Sequence, residues 1–127
     1  MGKRTDWHMI LGILQFDLFI HDACSLKDKR SVVNSLKTKL RREHNISVAE
    51  VGAQDKWNVA SLAVTLVATD AQQASSIIDA VVRKLDALHD AQLGLLQRDI
   101  ITADALVSMH ESSDTLWTEQ ERRDVQP

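Results

Sequence analysis

An α+β sandwich of order βαββαβ, with two helices on one face of a four-stranded antiparallel sheet, is predicted by three observations. Four stretches carry apolar residues at strand spacing, two carry them at helical spacing, and each helical stretch lies between two strands. The third observation is size. A chain of 127 residues with 44% hydrophobic and 26% charged residues and one proline has the length and composition of one globular domain. Aromatic residues are only 4% and tyrosine is missing, so the core is aliphatic and a base-reading surface has few rings to draw on.

In the first stretch Ile10, Gly12, Leu14, Phe16, Leu18 and Ile20 alternate with Met9, Leu11, Ile13, Gln15, Asp17 and Phe19, so both faces are largely apolar and the strand is central. Ser25 opens the first helix as N-cap with Asp28 three residues on, and the pattern runs to about His44, with Leu26, Val32, Val33, Leu36 and Leu40 on one face. Asn45 is placed to end it in a left-handed conformation. Ile46 to Val51 is a short branched strand, Gly52 to Asn58 a turn, and Val59 to Ala68 a third strand. Asp70 and Gln73 cap a second helix whose Ala74, Ile77, Ile78, Val81, Val82, Leu85 and Leu88 share a face, and Gln92 to Ile101 is the fourth strand. Two right-handed crossovers in this order make the ferredoxin-like sandwich. It leaves the sheet face away from the helices bare, and here that face is apolar. A second subunit, or the segment around Leu106, Val107, Met109, Leu116 and Trp117, is expected to cover it.

The domain organisation expected is an N-terminal extension over 1–8, the sandwich over 9–102, and an acidic extension over 103–127, helical or partly disordered, with two bases against six acids. A single cysteine, Cys24, allows no intramolecular disulfide and no paired-cysteine metal or redox site, which points to a reducing, cytoplasmic location. Gln15 and Asp17 interrupt the first apolar stretch, so a signal peptide or membrane span is not expected. The net charge of −3 argues against indiscriminate polyanion binding. Its distribution is uneven: Ser25 to His44 holds seven bases against two acids, a local +5 that leaves −8 elsewhere.

The run Ser25-Leu26-Lys27-Asp28-Lys29-Arg30-Ser31-Val32-Val33-Asn34-Ser35-Leu36-Lys37 resembles the YlxP-like family of small bacterial proteins. So do Asn45-Ile46-Ser47-Val48-Ala49-Glu50-Val51 and Gln54-Asp55-Lys56-Trp57 that follow it. The resemblance covers roughly Met9 to Ile101, and it implies the same ferredoxin-like fold and no established activity. It also implies, by gene neighbourhood alone, an association with transcription and translation, including ribosome maturation. The structural motif it marks here contains Ser25, Lys29, Glu50, Asp55 and Trp57.

Residue by residue, the first helix carries the most chemistry. At about 100° per residue, Lys37, Arg30, Arg41, Asn34 and Lys27 form one stripe beside the apolar face. Such a row suits a phosphate backbone, each charge adding a salt-dependent increment; a solvated helix face, with Arg41 and Arg42 complementing the helix C-terminus, is the plainer reading. Lys29 falls in the middle of the apolar face and needs a carboxylate, for which Asp17 and Glu50 are the candidates. Trp57, in the turn before the third strand, is expected to plug the end of the core; stacking on a base and docking into a partner are the alternatives. The loop His21-Asp22-Ala23-Cys24 meets a helix N-terminus but offers neither the glycine nor the arginine of an acylphosphatase cradle. His8, His21, His44, His89 and His110 lack ligand spacing, so no metal or cofactor is expected.

The expected function is that of a non-enzymatic domain, homo-oligomeric and most simply dimeric, that associates with RNA or the ribosome through the basic first helix. The alternative is a protein-interaction or oligomerisation module without nucleic-acid binding. Neither reading involves a membrane or a small-molecule substrate.

Overall fold

The computed structural model describes residues 8–102. The leading residues through Trp7 and everything from Ala103 onward lie outside the described residues, and with them the segment around Leu106, Val107, Met109, Leu116 and Trp117. The order is β1 (Ile10–Ile20), α1 (Leu26–Glu43), β2 (Ser47–Gly52), β3 (Val59–Ala68), α2 (Ala71–Asp86) and β4 (Ala91–Thr102). The strands lie in the order β2-β3-β1-β4, each pair antiparallel, which is the ferredoxin-like α+β arrangement that the periodicity predicts. β2 starts and ends one residue later than its branched run, because Gly52 still pairs with Ser61 across a bulge.

β1 is central because both neighbours pair along almost its whole length. Its Leu14, Phe16, Leu18 and Ile20 are buried with Leu62, Val64 and Leu66 of β3 under the helices. Gly12 lets α2 come close: a Cβ there would sit 3.0 Å from Leu66 Cγ and 3.2 Å from Ile78 Cδ1. α2 contributes Ala74, Ile78, Val81 and Leu85 to this core, and α1 contributes Val33, Leu36 and Leu40. Arg98 of β4 ties back to α2 through Asp79 Oδ1 at 2.7 Å.

The caps follow the sequence with one shift and one correction. Ser25 Oγ accepts from the Asp28 N–H at 3.1 Å, but Asp28 Oδ2 accepts from Cys24 N–H, one residue before the cap, rather than from Ser25. Asp70 Oδ1 accepts from Gln73 N–H at 2.7 Å, and Gln73 Oε1 accepts from Thr69 N–H. Asn45 is not a left-handed cap: α1 ends at His44 in an extended conformation, its N–H donating to Leu40 O. A side-chain cluster anchors this end instead. Lys84 of α2 reaches across to form an ion pair with Glu43 and to donate to His44 Nε2 at 2.6 Å.

On the other side of the sheet, β1 presents Leu11, Ile13 and Phe19, and β3 presents Val67, Thr65 and Val59 opposite them in turn. No helix covers this face among the described residues. Val67 is 65% exposed, and Leu95, at the bulge where β4 shifts register against β1, is 80% exposed. Phe19 lies over Gly94, where a Cβ would come within 2.7 Å of the ring.

Candidate functional site

α1 sorts its bases by what lies beneath each one. Lys29 points into the sandwich and is 1% exposed. Its Nζ donates to Ala53 O and to Lys56 O, both at 2.6 Å, and stands 2.9 Å from Glu50 Oε2. Glu50, 19% exposed, lies on the helix-facing side of β2, opposite the buried Leu62. Glu50 Oε2 receives no aligned hydrogen bond, so its attraction to Lys29 is Coulombic while the two carbonyls take the directed bonds. Of the two carboxylates the sequence offers to Lys29, Asp17 has a different role: it accepts from Ser61 Oγ at 2.7 Å.

The Lys29 ammonium therefore fixes the β2–β3 turn. Ala53 adopts φ 55°, a left-handed conformation costly for a residue with a Cβ, and its carbonyl also accepts from Lys56 N–H at 3.0 Å. Gln54 Nε2 donates to Glu50 O across the same turn. Asp55, Lys56 and Trp57 stand on it exposed. Trp57 does not plug the core; it is 48% exposed, because Ile20 N–H pairs with Asn58 O and closes the end of the sheet without its ring.

The predicted stripe divides. Arg41 Nη2 donates to Val48 O at 2.8 Å, so this guanidinium caps a carbonyl of the edge strand β2. Lys27, Arg30 and Asn34 are exposed and Lys37 is half-buried, all on the flank of α1 beside β2. Among the described residues no carboxylate forms an ion pair with Lys27, Arg30 or Lys37. On the opposite flank Glu43 and His44 are engaged with Lys84. The hydrogen bond from Lys84 holds the Glu43 carboxyl below its ordinary value, and burial, then the Lys84 charge, does the same to the His44 imidazole.

Between α1, the end of β1 and the segment joining α2 to β4, a cleft of about 180 Å³ is lined by Leu18, Ile20, Val33, Leu36, Leu88 and Asp90 among others. Among the described residues no group of three or more His, Cys, Asp or Glu could hold a metal ion, and no helix is long and apolar enough to cross a membrane.

The two roles that sequence reasoning missed are the carbonyl cage of Lys29 and the Arg41 cap on Val48. All three acceptors are backbone carbonyls, for which side-chain spacing gives no signal.

Residues 11–98 match the family described as protein of unknown function (DUF503). The chain is also 28% identical over 83 residues to the uncharacterized protein YlxP of Bacillus subtilis (strain 168), an alignment covering 65% of this chain and 90% of that protein.

Proposed function

This chain belongs to the DUF503 family, and we propose that it works as a non-enzymatic, cytoplasmic module that contacts RNA, on the ribosome or apart from it, through α1. The observation that carries this reading is the set Lys27, Arg30 and Lys37: solvent-accessible cations on one flank of one helix, without carboxylate partners among the described residues. Cations already paired within the protein bring little to a polyanion. Unpaired ones release its counterions, and each adds an increment that falls with salt. Asn34, between them, adds a neutral donor for phosphate or sugar oxygen. Lys29 and Arg41 belong to the framework that holds the stripe in place.

The test is the triple reversal Lys27→Glu, Arg30→Glu, Lys37→Glu, read by fluorescence anisotropy with a labelled RNA at low salt. The expected result is loss of binding with unchanged thermal unfolding. Retention of wild-type affinity by the triple variant contradicts the reading.

A second reading rests on a separate observation, the apolar sheet face that no described residue covers, with Val67 and Leu95 exposed. It supports self-association through that face, which leaves the flank of α1 free.

A further inference from the structure

We infer that Trp57 extends the α1 surface into a base-stacking platform, so that the RNA taken is single-stranded; this rests on the reading of α1 given above. Three observations carry it. First, Trp57 is exposed in a turn that is rigidly held: the Lys56 carbonyl belongs to the peptide bond leading into Trp57, and Lys29 Nζ donates to it at 2.6 Å. A backbone fixed in advance loses little freedom when a base stacks on the ring it carries.

Second, the clamp ties the backbone at Trp57 to the helix that carries the cations. Peptide geometry puts the Trp57 Cα within about 5.5 Å of Lys29 Nζ. Lys27 and Arg30 lie within one turn of Lys29 on the same helix. The separation from the helix backbone is on the order of 10 Å, about three nucleotides of a stacked strand at roughly 3.4 Å each. Third, the turn is built for a base rather than for phosphate. Asp55 and Lys56 cancel in charge and bring no net attraction for phosphate, while the indole offers a face to any unpaired base. A duplex keeps its bases stacked inside and has none to give. The left-handed Ala53 and the buried Lys29 are both costly to maintain, and together they hold this turn.

The experiment compares an unstructured single-stranded RNA with a duplex of the same sequence, in wild type, Trp57→Ala, Trp57→Phe and the triple reversal. Single-strand affinity is expected to fall roughly 5- to 100-fold in Trp57→Ala and to return largely in Trp57→Phe, with duplex affinity unchanged. A variant retaining only Trp57, made by Trp7→Phe and Trp117→Phe, is expected to lose fluorescence on single-strand binding. Wild-type single-strand affinity in Trp57→Ala, or equal losses for single strand and duplex, overturns the stacking platform. If the triple reversal abolishes binding while Trp57→Ala changes nothing, the platform alone falls; if wild type shows no salt-dependent binding, both proposals fall.

Discussion

Lys29 shows how one side chain sets the geometry of an exposed turn. A buried ammonium is costly unless its protons and charge are met, and here two carbonyls and a carboxylate meet them. The contributions are unequal, because the aligned bonds go to backbone oxygens and Glu50 supplies only charge. Lys29→Met is therefore expected to destabilise the fold by about 3 kcal/mol, the lower end of the cost of breaking a buried pair. Glu50→Gln, which leaves the carbonyl bonds intact, is expected to cost less than half as much. Urea unfolding of the two variants decides this; equal losses would assign the clamp to the ion pair instead. The need of Lys29 for a carboxylate is legible in the sequence from its place on an apolar helical face. That its directed bonds go to Ala53 and Lys56 is not, since a carbonyl has no residue identity. The exposure of Trp57 escapes the sequence for a related reason: an indole seals a sheet end unless the backbone has already closed it, and the pairing of Ile20 with Asn58 does so.

At the scale of elements, the helices are joined at their sides by charge as well as by packing. Lys84 meets Glu43 and His44 together, and in both the folded state favours the deprotonated form. Each group then contributes stability that is present above its unfolded pKa and lost as pH falls toward and through its folded pKa. For His44 the loss begins as pH drops below about 6.5, where the unfolded imidazole takes up a proton that the folded one resists; for Glu43 it begins near the ordinary carboxylate range. The urea midpoint is expected to fall between pH 7.5 and pH 5.5, and His44→Gln to reduce that fall. An unchanged fall in His44→Gln would place the acid sensitivity elsewhere. Strand and helix identities were accessible from periodicity because each of the six elements buries one face against the same core. The end of α1 near His44 was accessible too, but not what holds it, because the Lys84 cluster that anchors it comes from α2, forty residues on.

The described residues present two distinct surfaces: a flank of α1 whose cations have no carboxylate partner among them, and an apolar sheet face on the opposite layer. The apolar alternation of β1 reveals in the sequence that this face exists, and Val67 and Leu95 show how far it is exposed. Self-association through it predicts an oligomer in wild type at micromolar concentration and a shift toward monomer in Val67→Glu, measured by sedimentation velocity. A monomeric wild type would remove the self-association reading and leave the α1 flank untouched. The central claim concerns that flank, and it is quantitative. If Lys27, Arg30 and Lys37 each meet one phosphate, the logarithm of the RNA association constant should fall against the logarithm of salt concentration with a slope of about −2 for a single strand. The most direct measurement is this slope in wild type and in the Lys27, Arg30, Lys37 reversal. The account predicts a slope near −2 that vanishes with the reversal; a slope that is flat in wild type, or equally steep in both proteins, contradicts it.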